Sequence, residues 1–216
     1  MKIAIFCEIK DSFFHKFLNS LRNKIKNKNK VFIFTDYNQQ KINCDLAFFV
    51  SCRSKILKKN LIKNKLNLVV HPSKLPEGKG SGVVAWKILE NKKKLWISFF
   101  EPELNNLDNG RIFCQDYFLL KGNELCDEIR AMQAAKTIEM CEKIISKLKK
   151  GKINPTKQKK VKNKKFYRIR SPIDSKININ LSIKSQFNLL RVVDNERYPA
   201  YFIRKGVKYI LKIYKK

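Results

Sequence analysis

Acid–base chemistry needs an imidazole and a carboxylate at a strand end or loop, and this sequence offers one such couple. His71 closes the apolar run at 67–71, NLVVH, and is one of two histidines. Beyond it the chain turns polar in PSKLPEGKG, with two prolines and two glycines. Asp108 lies in LDNG (107–110), just ahead of another apolar run. A carboxylate beside an imidazole fixes the ring's orientation and favours its charged form, so the pair is a candidate acid–base couple. Asp-Asn-Gly is also an ordinary turn signal, and a histidine at a strand end can be structural. On these residues alone both readings stand. His15 falls in a helical stretch and reads as a surface or boundary residue.

Other chemistries find little support. There is no phosphate loop, no GxGxxG after the first strand and no GxSxG elbow. The six cysteines (Cys7, Cys44, Cys52, Cys114, Cys126, Cys141) form no CxxC pair. They read as reduced, small core residues of a cytoplasmic protein, and no metal site is expected. The first apolar run is too short for a signal peptide. No stretch reaches the roughly 20 apolar residues of a membrane span.

The elements that must hold these groups follow from hydrophobic patterning. Strands are predicted at 2–6, 31–36, 45–52, 67–71, 95–101 and 111–120. Helices are predicted at 11–25, with Asp11 as N-cap, and at 53–65, 82–91 and 123–150. Strands alternating with helices give an α/β domain with a mainly parallel, twisted sheet and flanking helices. Ligands in such sheets bind beyond the carboxyl ends of the strands, which is where His71 falls. Phe99, Phe100, Trp86 and Trp96 read as core. The α/β domain spans 1–150, and 151–165 is a basic linker with little apolar content. Residues 166–216 form a small C-terminal subdomain with a helix at 183–193 and two strands about a Lys-Gly turn. About 50 residues bury too little surface to stand alone, so this unit is expected to pack on the first.

The formal charge is +30, from 48 Lys and Arg against 18 Asp and Glu over 216 residues. Such an excess can serve a polyanion such as RNA. Its make-up points elsewhere: Lys far outnumbers Arg and is interleaved with Asn and Ile, as in 23–30 and 58–65, which reads as a solvated surface. A polyanion-binding surface is the alternative.

Several of these residues together resemble the folate-dependent formyltransferases, which include methionyl-tRNA formyltransferase and the sugar N-formyltransferases. Ser73-Lys74-Leu75-Pro76 matches the family's Ser-x-Leu-Pro after its histidine, and Asp108-Asn109-Gly110 matches its Asp-x-Gly. The likeness covers most of 45–145 and returns at 183–203. The VVHxSxLPxGKG form and the tail NLLRVVDNERYPAYF are most similar to the bacterial branch that formylates amino sugars in surface-polysaccharide and nonulosonate pathways.

The resemblance implies an N-formyltransferase. It would move a formyl group from 10-formyltetrahydrofolate, as cosubstrate, to the amine of a nucleotide-linked amino sugar. It implies catalytic roles for His71, Asp108 and Ser73, and folate contacts at Ser51, Cys52, Leu104 and Leu107. Substrate contacts would fall at Gly78, Gly80, Arg191 and Tyr198, with the two glycines also readable as a plain flexible loop. A homodimer is one of the open oligomeric states. A methionyl-tRNA formyltransferase-like activity remains an alternative, set against the short post-linker unit. So does an inactive polyanion-binding homologue. The sequence departs from the family at one point: its asparagine two residues before the histidine is Val69 here. Valine cannot donate a hydrogen bond. Asn67 shares its strand face but lies about 6–7 Å further back, so Ser73 or a backbone N–H is left to supply the donor.

Overall fold

The structure is a computed structural model. It describes every residue except 8–11, 53, 55, 105, 160 and 162–164. The expected N-cap Asp11 thus lies outside the described residues. The chain runs β1 (Lys2–Phe6), α1 (Leu18–Ile25), β2 (Lys30–Phe34), β3 (Cys44–Phe49), α2 (Lys58–Leu61), β4 (Asn64–His71), β5 (Lys79–Gly80) and α3 (Val83–Leu89). It continues through β6 (Lys94–Phe100), β7 (Ile112–Leu119), α4 (Cys126–Lys149), β8 (Phe166–Tyr167), α5 (Ile183–Val192), β9 (Ala200–Arg204) and β10 (Val207–Leu211).

Six strands form one sheet in the order β2-β1-β3-β4-β6-β7. The first four are parallel, and β4–β6 and β6–β7 are antiparallel. The sheet is therefore mainly parallel, as expected, with four of its six strands paired in parallel. In β1, Ile3, Ala4, Ile5 and Phe6 are all at most 1% exposed, as expected of a central strand covered on both faces. The antiparallel pair arises because β6 and β7 are joined by a loop (101–111) with no helix to carry the chain back across the sheet.

One face packs on α1, α3 and α4. Leu18, Leu21, Ile88, Met140 and Ile144 close over Ile3, Ile5, Phe48 and Phe99. The opposite face carries Ala4, Phe6, Ala47 and Phe49, where the rings of Phe6 and Phe49 stack at 4.7 Å. Each such buried aromatic stack contributes about 0.5–1.5 kcal/mol beyond its burial.

Three elements differ from expectation. The stretch 11–25 opens as a 3-10 turn (Phe13–Phe17) before α1. Ser12 caps that turn, its Oγ accepting from the Phe14 N–H at 3.2 Å. The helix expected at 53–65 is the single turn α2, because asparagines end it: Asn64 Nδ2 and Asn67 Nδ2 donate to the carbonyls of Asn60 and Leu61. Those are the carbonyls a helix end leaves without partners, and β4 starts at once. Trp86 and Trp96, read as core, are half-buried under cations: Arg168 stacks 4.9 Å from Trp86, and Lys74 4.8 Å from Trp96. Phe99 and Phe100 are core as expected.

The C-terminal unit has its own small core of Ile177, Leu190, Val193 and Ala200. Its hairpin turns at Lys205 and Gly206, both with positive φ (49° and 78°), the combination that matches strand twist in two-residue hairpins. It docks at the start of α4 through one buried and one partly buried ion pair. Arg191 Nη2 lies 2.6 Å from Glu124 Oε2, and Arg130 Nη1 lies 2.8 Å from Asp194 Oδ2. The segment 151–165 is no free tether. Thr156 exchanges both backbone hydrogen bonds with Ile112 at 2.8 and 2.9 Å. β8 then pairs in parallel with β5, in the loop after His71.

Candidate active site

Parallel pairing puts the carboxyl ends of β1, β3 and β4 on one edge of the sheet. Phe6 is level with Phe34 and Phe49, and Phe49 with Val69. His71 therefore projects two residues beyond that line. Its partner across the antiparallel join is Ser98, which is fully buried. Ser98 fixes the loop after His71. Its Oγ donates to the Ser73 carbonyl (2.6 Å) and accepts from the Leu75 N–H (3.1 Å) and from Gln115 Nε2 (2.8 Å). Gln115 Nε2 also donates to the Leu75 carbonyl at 2.9 Å. Neither Ser98 nor Gln115 was singled out from the sequence. The available signal was a polar residue inside each of two apolar strands, in WISFF and FCQDY.

Asp108 sits in the loop between β6 and β7 with φ +53°, a left-handed conformation that aspartate and asparagine tolerate better than most residues. Gly110 is needed two residues on, since a Cβ there would overlap the carbonyl of Glu101. The Asp-Asn-Gly sequence is thus both a turn and the mount of a carboxylate. His71 Nδ1 lies 3.6 Å from Asp108 Oδ1, too long for a hydrogen bond but close enough for charge to be felt. Asp108 Oδ2 accepts from the Gly80 N–H at 3.1 Å. His71 Nε2 is 2.9 Å from the Gly78 carbonyl. A carbonyl only accepts, so the proton there is on Nε2. Both groups are buried, at 6% and 8% exposure.

Ser73 is 3% exposed, and its Oγ is buried without a hydrogen-bond partner among the described residues. A hydroxyl in that state costs about 1–3 kcal/mol, so it marks a position built for something else. Gly80 brings the loop against the C-terminal unit: a Cβ there would overlap the carbonyl of Tyr167, which accepts from the Ser81 N–H at 2.9 Å. Tyr167 Oη in turn donates to Glu90, at 2.9 Å from each carboxylate oxygen.

The remaining expected residues divide. Ser51, with φ +56°, accepts from Ser12 Oγ at 2.6 Å just past β3. Cys52 Sγ lies 3.5 Å from the Phe6 carbonyl. Both occupy the same sheet edge as His71. Leu104 and Leu107 are exposed in the loop that carries Asp108. Val69 packs against the Phe6–Phe49 cluster. Asn67 cannot stand in for the absent asparagine, since its amide is committed to Leu61 and Asn64.

Arg191 is a correction. It is 3% exposed and its guanidinium is spent on Glu124, so it is a docking residue and offers no fork to a phosphate. Burial pushes its pKa down and Glu124 pushes it back. Tyr198 is half-exposed beside it in the C-terminal unit, its N–H donating to the Asp194 carbonyl. No described contact joins it to the His71 loop.

No protein-family model matches the sequence, and no curated protein matches it. Solved structures do. The fold is similar to that of a methionyl-tRNA formyltransferase from Clostridium thermocellum (TM-score 0.78, 20% identity, 99% of this chain and 92% of that one). It is similar to a 4-N formyltransferase from Francisella tularensis (0.75, 17%, 98% and 96%). It is also similar to HypX from Aquifex aeolicus in complex with tetrahydrofolic acid (0.77, 15%), where this chain covers only 37% of the longer protein. The chain has the formyltransferase fold, as its motifs led one to expect. Among the described residues no helix is long and apolar enough to cross a membrane, and no three potential metal ligands cluster.

Proposed function

We propose that this chain transfers a formyl group from 10-formyltetrahydrofolate to the amine of a nucleotide-linked amino sugar. One observation carries the reading. On a formyltransferase fold, His71 and Asp108 are buried together at a strand end under a glycine loop, beside the unpaired hydroxyl of Ser73. The donor's flat, partly apolar ring suits the edge made by Ser51 and Cys52 with the exposed Leu104 and Leu107.

Bound 10-formyltetrahydrofolate would supply an activated formyl carbon. His71 would give its Nε2–H, now taken by the Gly78 carbonyl, to the formyl oxygen as negative charge develops there. Ser73 Oγ is the second donor available, in place of the amide that Val69 lacks. Such a donor is worth about 2.7–4 kcal/mol in comparable sites. Asp108 would hold the ring from its Nδ1 side and take the proton lost by the attacking amine. That proton would pass to the folate nitrogen, which would leave as tetrahydrofolate when its bond to the formyl carbon breaks. No covalent bond to the protein is required.

The test is a transfer assay with 10-formyltetrahydrofolate, a panel of UDP- and dTDP-linked 3- and 4-amino sugars, and initiator methionyl-tRNA, read by mass. Formylation of a sugar, absent in His71→Ala, is the expected result. Formylation of the tRNA alone would overturn the substrate class. It would make the +30 charge functional, with a yield that falls steeply as salt rises.

A further inference from the structure

The segment 151–165 has no role in the mechanism above, yet one of its side chains reaches the candidate site. Gln158 Nε2 donates to two carbonyls at once, Asp108 O at 3.0 Å and Gly110 O at 2.9 Å. Both are in the turn that holds the Asp108 carboxylate. The amide cannot be turned over, since its oxygen would then face two carbonyl oxygens. That Oε1 is itself buried without a partner among the described residues. The segment is held in place just upstream by the two backbone bonds between Thr156 and Ile112.

Asp108 depends on such a hold. Its left-handed backbone is a conformation that a short loop does not keep by itself. Three further ties reach the turn from the other side: Gly80 N–H on Asp108 Oδ2, and Lys79 Nζ on Asn109 Oδ1 at 3.0 Å and on the Leu107 carbonyl at 3.4 Å. All three come from the loop after His71. Gln158 ties the turn from outside that loop, and it is the tie that reaches the carbonyl of Asp108 itself.

We propose that Gln158 is a positioning residue for Asp108, which makes the stretch 156–158 part of the active site. This rests on the transfer reading above, and acts through Asp108 without touching substrate.

Gln158→Met keeps length and removes both donors. A misplacement of the catalytic group by about 1 Å can cost on the order of a hundredfold. The expected result is a kcat lowered tenfold to a hundredfold, with KM for the formyl donor unchanged. In an Asp108→Asn background the same change should cost nothing further, because the group it positions is already lost. A kcat equal to wild type, or a loss that adds in full to that of Asp108→Asn, would overturn the proposal. Gln158→Asn, too short to span both carbonyls, replaces Gln158→Met should the latter not fold.

A second readout needs no activity. With two histidines in the chain, the ring protons of His71 are assignable by NMR. They should move in Gln158→Met in the direction they move in Asp108→Asn, and stay put in the exposed neighbour variant Lys157→Met. If wild-type protein formylates nothing offered, the transfer reading fails while these signals still decide the positioning.

Discussion

Two buried polar clusters in this molecule look alike at a distance and differ in kind. At the end of β4, His71 faces Asp108 at 3.6 Å, and Ser73 beside them has a hydroxyl with no partner among the described residues. At the junction of α4 and α5, Arg191 and Glu124 meet at 2.6 Å, and Glu124 also accepts from the N–H groups of Lys121 and Gly122. In the second cluster the buried groups hold one another, Arg191 Nε donating also to the Glu124 carbonyl at 2.8 Å. The first is left short of partners, at a cost the fold carries. The sequence offers His71 as a catalytic group and Arg191 as a substrate contact, and their hydrogen-bond partners set the two clusters apart.

Breaking each cluster should give opposite phenotypes. His71→Ala or Asp108→Ala should lower transfer by about 10²–10⁴-fold, the range for acid–base groups, with little change in melting temperature. Near-wild-type turnover in either would dissolve the contrast. Arg191→Met strands the Glu124 carboxylate and should destabilise the fold by about 3–5 kcal/mol. Turnover per folded molecule should persist, as judged by denaturant melts run beside the assay.

Acid should act on the satisfied cluster. Burial opposes charge on Glu124 and Asp194. For Glu124 the N–H groups of Lys121, Gly122 and Glu124 together with Arg191 outweigh it, and for Asp194 Arg130 together with the N–H groups of Arg197 and Glu196 does so, so both sit below the usual carboxylate range. Arg168 holds Asp174 at about 2. A carboxylate depressed in the folded state contributes stability above its unfolded value of about 4, and that contribution is lost as pH falls through the folded value. Between pH 5 and about 2, amides in 166–216 should therefore lose hydrogen-exchange protection before those of β1 and β3. Simultaneous loss across both units would contradict the assignment. The smallest effect sharpens the comparison within the site. Ser98→Ala removes an engaged hydroxyl and should cost about 1–3 kcal/mol. Ser73→Ala removes a buried hydroxyl that has no partner among the described residues and should raise the melt, by up to about 1–3 kcal/mol, while turnover falls.

Much of this was legible in the sequence, for identifiable reasons. The strands announce themselves as β-branched and aromatic runs, and His71 stands out because it ends one. The Asp-Asn-Gly turn is local chemistry, readable from three residues. What escaped was non-local. Arg191 finds Glu124 across 67 positions, and no periodicity points from one to the other. Gln158 lies in a stretch with the composition of a solvated tether, and its partners are backbone carbonyls, which carry no sequence signature. The helix expected at 53–65 failed because asparagine side chains, neutral in a propensity count, reach back to end it. The reversal of β6 against β4 was hidden because a buried strand reads the same in either direction.

The left-handed backbone at Asp108 has a consequence for how this protein can change. A residue at φ +53° is accommodated about as well when it is asparagine, and this chain carries asparagine abundantly elsewhere. Steric fit therefore does not choose between the acid and its amide at 108. A one-atom exchange, oxygen for nitrogen, would leave the turn standing while removing its charge, so the shape of this site can outlast its acid–base couple.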